Sequence, residues 1–115
     1  MSIPTPPEGA QRAGRRLWRA VLADYELAEH ELTLLREAVH VADVCGQLQS
    51  LVHEDGPMVD GRANAALVEL RQQRILLARL LVALRVPLGE AEDEQPARSQ
   101  YRGLRGVYGL KGGAA

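Results

Sequence analysis

The chain has 115 residues and a mass of 12.6 kDa, the usual size of one domain, and its 14 Lys and Arg nearly balance its 15 Asp and Glu. Neither a two-domain enzyme nor a uniformly basic nucleic-acid binder fits these totals. Hydrophobic residues make up 46% of the chain, which is too much for a wholly disordered protein. Because the chain has no Phe, one Trp and three Tyr, its core must be mainly aliphatic.

The cysteine content and the start of the chain indicate the compartment. The single cysteine, Cys45, has no partner for an intrachain disulfide, and residues 1–4 lack the charged and apolar regions of a signal peptide. The longest apolar run, residues 75–84, is interrupted by Arg79 and falls well short of the roughly 20 residues that cross a bilayer. We therefore expect an intracellular protein with no membrane span.

Charge is unevenly distributed along the chain. Residues 1–19 carry a net charge of +3 and residues 20–60 carry −8, whereas residues 61–89 return to +4. Residues 90–94 add −4 and residues 95–115 add +4. Since basic segments cancel an acidic middle, the net charge of −1 does not exclude a nucleic-acid partner.

Both ends of the chain have compositions that disfavour secondary structure. Three prolines stand among the first seven residues, and because proline lacks an amide donor they predict a flexible arm over residues 1–10. Residues 88–115 are rich in Gly and charge, which predicts a flexible basic tail. A helical domain over residues 11–87 is predicted between them.

The first predicted helix spans about residues 11–24 and is amphipathic. At about 100° per residue, its arginines fall on one face and its apolar side chains on the other. Guanidinium groups on one face bind phosphates through paired hydrogen bonds, so this face is the candidate DNA-binding site. The alternative is a solvated face that forms ion pairs with the acidic second helix. We call it the arginine stripe: Arg12, Arg15, Arg16 and Arg19.

Two longer helices are predicted over about residues 27–53 and 63–85. In each, a seam of mainly apolar residues advances by alternating steps of three and four, which is a heptad pattern. Asp55-Gly56-Pro57 breaks the chain between them, and Asp60-Gly61 supplies a further turn. Two seams of similar length across a short loop predict a long antiparallel helical hairpin, so the fold class is all-α.

The third predicted helix is apolar around nearly its whole circumference between residues 75 and 84. One partner helix and a short first helix cannot cover such a surface, so the chain is predicted to self-associate. Arg74 lies on the seam, either as a buried charge partnered by Glu37 or Asp43 or at a subunit boundary. The candidate oligomerisation residues are Leu70, Arg74, Leu76, Leu77, Leu80, Leu81 and Leu84.

Nothing in the sequence has the arrangement of a catalytic or metal site. Cys45 and His40 are five residues apart, about 140° around a helix, so they would not meet, and Cys45 is interpreted as a buried thiol. The histidines lack the spacing of metal ligands, and no Gly-rich loop precedes a helix with a Lys. We therefore expect a protein that is not an enzyme and that has no catalytic, cofactor-binding or metal-binding residues.

Aromatic and basic residues are interleaved between the glycines of the predicted tail. Such residues would stack on bases or dock on a partner protein, or would belong to a tail without structure. These alternatives stay open at the level of composition. The residues are Arg98, Tyr101, Arg102, Arg105 and Tyr108.

Several short sequence motifs, given at the end of this paragraph, lie between residues 14 and 87 and together span about two-thirds of the chain. Their order resembles the small subunits of phage DNA-packaging terminases, in particular the short all-helical type of tailed phages. Family members often have a proline after the position of Asn64, where this chain has Ala65. The motifs are Gly14-Arg15-Arg16-Leu17-Trp18-Arg19, Asp24-Tyr25-Glu26-Leu27, Leu34-Leu35, Ala42-Asp43, Gly56, Asn64-Ala65-Ala66-Leu67, Leu70-Arg71 and Leu84-Arg85-Val86-Pro87.

The resemblance implies a non-enzymatic, ring-forming subunit that recognises viral double-stranded DNA in the host cytoplasm and delivers it to the large subunit, which carries the ATPase and nuclease. It also implies that the helical hairpin builds the ring and that the tail after Pro87, with the interleaved residues named above, contacts the large subunit. Only Arg15, Arg16 and Arg19 of the arginine stripe lie within a matching motif. The alternative is a helical coiled-coil scaffolding or adaptor protein with protein partners only, which needs no DNA affinity.

Overall fold

A computed structural model of the chain describes residues 3–85, and within this range the protein is mostly helical, as predicted. The elements in chain order are α1 (Arg12–Asp24), α2 (Glu29–Asp55), β1 (Met58–Val59), β2 (Arg62–Ala63) and α3 (Ala65–Ala83). The ends of the three predicted helices differ from these bounds by at most two residues. The predicted tail, residues 88–115, lies outside the described residues.

The connection between α2 and α3 contains a small β-hairpin, where the sequence pattern predicted only turns. β1 and β2 pair antiparallel, with Met58 opposite Ala63 and Val59 opposite Arg62. Asp60 and Gly61 both have positive φ angles, 53° and 78°, as the central residues of a two-residue hairpin turn with a matching twist require. Asp-Gly is the strongest short-range signal for a β-hairpin. The sequence therefore contained the signal for this hairpin, although the dipeptide was interpreted as a simple turn.

Asn64 joins the beginning of α3 to the end of α2. Its side-chain oxygen accepts a hydrogen bond from the amide of Ala66 at 2.9 Å, which caps the helix, and its side-chain nitrogen donates to the carbonyl of Gly56 at 2.7 Å. Its own amide donates to the carbonyl of Pro57 at 2.8 Å. Because the side chain of Asn64 is buried and satisfied on both sides, the helix start is held at one position.

Contacts between α2 and α3 run in opposite order along the two helices. Asn64 at the start of α3 bonds to Gly56, Arg74 in its middle donates to the side-chain oxygen of Gln49 at 2.6 Å, and Leu84 after its end belongs to the same core as Leu35. Arg74 is exposed. It is therefore not a buried charge, and its side-chain hydrogen bond is to Gln49 and not to Glu37 or Asp43.

The hydrophobic core is formed by all three helices. Val21 and Leu22 of α1 meet Leu35 and Val39 of α2, with Leu84 covering them from the end of α3. Apart from one tryptophan the core is aliphatic, as the composition requires. Its buried members are Ala10, Trp18, Val21, Leu22, Leu35, Ala38, Val39 and Leu84.

The described part of the N-terminal arm, residues 3–10, contains no helix or strand and lies against α1. The indole nitrogen of Trp18 donates to the carbonyl of Pro4 at 2.8 Å, and the amide of Ala10 donates to the carbonyl of Pro7 at 3.1 Å. Trp18 is almost completely buried, and its hydrogen bond satisfies the indole nitrogen. The flexibility predicted for residues 1–10 stays a prediction, whereas this attachment was not predicted.

None of the helices in residues 3–85 combines the length and the hydropathy that a membrane-spanning helix needs.

Candidate nucleic-acid interface

The arginine stripe lies on the solvent face of α1. All four of its arginines are exposed, and at about 100° per residue they span an arc of about 100°. The buried residues of the same helix, Gly14, Trp18, Val21 and Leu22, lie on a different side and contact the rest of the domain. The predicted segregation of charge and apolar residues on this helix is therefore present in the fold.

Three of the four guanidinium groups have no protein partner within residues 3–85. Arg12, Arg16 and Arg19 form neither hydrogen bonds nor ion pairs there, whereas Arg15 donates to the carbonyl of Ala10 at 2.5 Å. The alternative in which the stripe pairs with the acids of α2 is not observed in the described part of the chain. The stripe consequently keeps its positive charge at the surface, where it is available to phosphates.

A buried carboxylate from α2 holds the beginning of α1. Asp43 is 7% exposed, and its two oxygens accept hydrogen bonds from the amides of Gln11 at 2.7 Å and Gly14 at 2.6 Å. Gln11, the residue before the helix, makes no side-chain cap of its own. Asp43 thus supplies the cap from another helix, and its negative charge also interacts favourably with the positive end of the helix dipole.

Gly14 allows α1 and α2 to approach at this point. A Cβ atom on Gly14 would lie 2.6 Å from Oδ2 of Asp43, 2.7 Å from Cγ1 of Val39 and 2.8 Å from the carbonyl oxygen of Val39. These distances are far below van der Waals contact, and one partner is backbone that cannot rotate away. A residue other than glycine would force α1 away from α2 and move the arginine stripe with it.

One side-chain hydrogen bond also joins α2 to the residue before α1. The side-chain nitrogen of Gln47 donates to the side-chain oxygen of Gln11 at 3.3 Å.

Sequence reasoning missed both Asp43 and Gly14 as residues that position the stripe. The signal for Gly14 was a glycine inside an otherwise regular helical pattern, whereas nothing local marks Asp43 as a partner of a helix 29 residues away.

The seven candidate oligomerisation residues differ in exposure, and Arg74 among them is exposed. Leu70 and Leu84 are buried within this chain, at 1% and 0% exposure, so they belong to the interior and are not on the surface of the folded chain. Leu77, Leu80 and Leu81 are half-buried against the core, whereas Leu76 is 41% exposed. The large exposed apolar side chains of α3 that were not among these candidates are Val68, Ile75 and Val82.

The candidate large-subunit contacts in the tail lie outside the described residues, so the structure places none of them. They are Arg98, Tyr101, Arg102, Arg105 and Tyr108.

Cys45 lies half-buried in α2 near α3. Burial raises the pKa of its thiol, and the nearby positive charge of Arg74 lowers the pKa by a smaller amount. A thiol with a raised pKa is a poor nucleophile at neutral pH. In residues 3–85, no three His, Cys, Asp or Glu side chains form a group that could hold a metal ion.

Comparisons of the chain with protein-family models, with curated proteins and with solved structures find no match.

Proposed function

We propose that this protein is a non-catalytic DNA-binding adaptor of the terminase small-subunit kind. In this proposal an oligomer of the chain binds viral double-stranded DNA through the arginine stripe of α1. It then presents the DNA to a large subunit that carries the ATPase and the nuclease. The observation that carries the proposal is an exposed row of arginines with no acidic partner in the described part of the chain.

A helix that is held in place suits phosphate binding because its backbone loses no further freedom when DNA binds. Asp43 and Gly14 attach the first turn of α1 to α2, and Trp18 anchors the next turn in the core. The helix therefore keeps the four arginines on one face, and the entropic cost of binding is limited to ordering their side chains. Contacts of this kind are to the DNA backbone, so they support binding with little sequence preference.

Repetition in an oligomer would strengthen a site that is modest in one chain. Three or four arginines neutralise few phosphates, but several copies linked together bind the same duplex at a high effective concentration. Affinity should then fall steeply with salt, because each neutralised phosphate releases a counterion. The exposed apolar residues of α3 support an oligomer, as does the resemblance to ring-forming subunits.

A second candidate function is a helical scaffolding or adaptor protein with protein partners only. The exposed apolar side chains Val68, Ile75 and Val82 favour it, because such a surface is typical of protein interfaces. This candidate predicts no salt-dependent affinity for DNA.

A salt titration of duplex binding separates the two candidates. The full-length protein is titrated with a fluorescent double-stranded DNA of mixed sequence at several salt concentrations, and the variant carries Arg12→Gln, Arg16→Gln and Arg19→Gln. For each arginine–phosphate pair that the substitutions remove, the slope of log affinity against log salt should become shallower by about 0.9. Arg15 is left unchanged, because it also bonds to Ala10 within the fold.

The control variant carries Arg36→Gln and Arg62→Gln, and it is compared with a charge-matched stripe variant, Arg16→Gln with Arg19→Gln. Arg36, on α2, and Arg62, on β2, are exposed and do not belong to the arginine stripe, and Arg36 forms an exposed ion pair with Glu29 at 3.5 Å. The control should bind DNA almost as the unchanged protein does. Equal affinity of the stripe variant and the unchanged protein at low salt would overturn the proposal.

A further inference from the structure

The outer face of α3 carries a line of exposed apolar side chains spaced seven residues apart. Val68, Ile75 and Val82 are 46%, 51% and 59% exposed, and we call them the α3 stripe. Positions seven residues apart lie at nearly the same angle on a helix, so the stripe is continuous over about 21 Å. Leu70 and Leu84, which are buried, lie on the other side of α3. The α3 stripe therefore cannot be covered by the chain's own α2.

Two arginines flank the α3 stripe. Arg71 and Arg79 are exposed, and neither forms a hydrogen bond or an ion pair with any residue from 3 to 85. If two copies met stripe to stripe, the guanidinium groups of both copies would come together, and like charges across an interface repel. The surface that covers the α3 stripe is therefore expected to be apolar along its centre and acidic beside it.

The outer face of α2 has this combination. Glu37, Val44 and Leu51 follow one another at the same seven-residue spacing, and Leu51 is 46% exposed while Val44 is half-buried. Glu54 and Asp55 lie three and four residues after Leu51, on either side of this line at the end of the helix, and both are exposed. We call these five residues the α2 acidic face. Its three carboxylates form no hydrogen bond or ion pair within the described range.

We propose that the α3 stripe of one copy packs on the α2 acidic face of a second copy, with Arg71 and Arg79 beside its carboxylates. The occupant is another copy of this chain because the matching surface, in spacing and in charge, is on the chain itself. This inference rests on the proposed function and deepens it by naming the surfaces that build the oligomer.

The contact joins two different surfaces, so it is head-to-tail. After one contact forms, the first copy still has a free α2 acidic face and the second copy still has a free α3 stripe. Assembly therefore continues beyond a dimer until it closes into a ring or grows as a filament.

Two single substitutions test this arrangement in the full-length protein without DNA. Ile75→Glu places a charge in the α3 stripe, and Leu51→Glu places the same charge in the α2 acidic face. Both residues are exposed, so the folded chain should retain its helical circular dichroism. By light scattering the unchanged protein should have a mass larger than that of a dimer, and each variant alone should have the mass of a monomer. The dissociation constant for self-association of each variant should rise about tenfold or more.

Mixing the two variants is the decisive measurement. The Ile75→Glu variant keeps a working α2 acidic face and the Leu51→Glu variant keeps a working α3 stripe, so an equal mixture should give a one-to-one dimer and nothing larger. A mixture that stays monomeric would overturn the proposal. So would a Leu51→Glu variant that still forms a dimer, because that result indicates stripe-to-stripe pairing.

A control and a charge reversal complete the test. Ala20→Glu adds a charge at an exposed position of α1 outside both surfaces and should leave the mass of the oligomer unchanged. Arg71→Glu with Arg79→Glu should weaken assembly, and adding Glu37→Arg with Glu54→Arg should restore it. An unchanged protein that is monomeric at micromolar concentration, as expected if residues 86–115 covered the stripe, contradicts the proposal.

These measurements are independent of DNA. If the arginine-stripe variants bind DNA normally but the mixing experiment gives a dimer, the proposed function fails and the interface stands. If the mixture gives no dimer but the stripe variants lose DNA affinity, the interface fails and DNA binding stands.

Discussion

The carboxylate of Asp43, in the middle of α2, accepts a 2.6 Å hydrogen bond from the amide of Gly14 in the first turn of α1. The two residues are 29 positions apart in the chain, and both are buried. Asp43 supplies the hydrogen-bond acceptor that the start of α1 lacks. Gly14 has no side chain, so the carboxylate can approach its amide. The position of the arginine stripe therefore depends on this pair.

Replacing Asp43 should destabilise the attachment of α1. Asp43→Ala leaves the buried amide of Gly14 and the amide of Gln11 without an acceptor, and we expect a decrease of about 3 kcal/mol in the free energy of unfolding. Asp43→Asn keeps one side-chain oxygen and should decrease it by about half as much. Urea unfolding followed by circular dichroism at fixed protein concentration measures both values. Equal stability of Asp43→Ala and the unchanged protein would show that water replaces the carboxylate.

Two glycines of this helix pair should respond in opposite directions to the same substitution. Gly14→Ala forces a Cβ to within 3 Å of Val39 and Asp43, so it should destabilise the protein by about 1–3 kcal/mol despite the better helix propensity of alanine. Gly46→Ala meets nothing closer than 3.7 Å, from the Cβ of Ala13, and should stabilise α2 by about 0.5–1 kcal/mol. The melting temperatures of the two variants should therefore lie on either side of that of the unchanged protein.

The two hydrogen bonds of the Asn64 side chain can be separated by substitution. Asn64→Ser keeps a side-chain oxygen that can cap α3 at Ala66 but removes the amide donor to Gly56, whereas Asn64→Ala removes both. We expect Asn64→Ala to cost about 1–2 kcal/mol, and Asn64→Ser to cost less because the cap remains. Thermal unfolding gives the order. If the two variants are equally unstable, the bond to Gly56 carries the effect and the cap contributes little.

The thiol of Cys45 predicts a dependence of stability on pH. Burial raises its pKa, so the folded state holds the proton more tightly than the unfolded state does. The resulting stability is fully present below the pKa of an unfolded cysteine, about 8.5, and disappears as pH rises through the higher pKa of the folded state. Unfolding by urea should therefore become easier above about pH 8.5, and Cys45→Ser should remove this part of the pH dependence.

The rate of alkylation of Cys45 is a second test of the direction of this pKa shift. Iodoacetamide should react more slowly with the folded protein than with a small thiol at neutral pH, because less thiolate is present. Arg74→Gln removes the positive charge that lowers the pKa, so it should slow the reaction further. Arg62→Gln, on β2, serves as the control and should react at the unchanged rate.

The sequence by itself determined the helices, because their signals are local. Apolar residues at steps of three and four, with Asp55-Gly56-Pro57 between two such runs, placed α2 and α3 to within two residues. The separation of arginines from apolar residues on α1 followed from the same angular count and is present in the fold. The absence of Phe already required an aliphatic core.

Only the tertiary structure decided which side chains those helices bury and which they expose. Leu70, Leu76 and Leu84 are all leucines of the same apolar segment. Leu70 and Leu84 are buried whereas Leu76 is exposed, because burial depends on where α2 contacts α3. Arg74, which lies on the seam, is exposed and bonds to Gln49, while Asp43 is buried and caps α1. A capping bond between residues 29 apart has no local signal, because it exists only once two helices have been packed together.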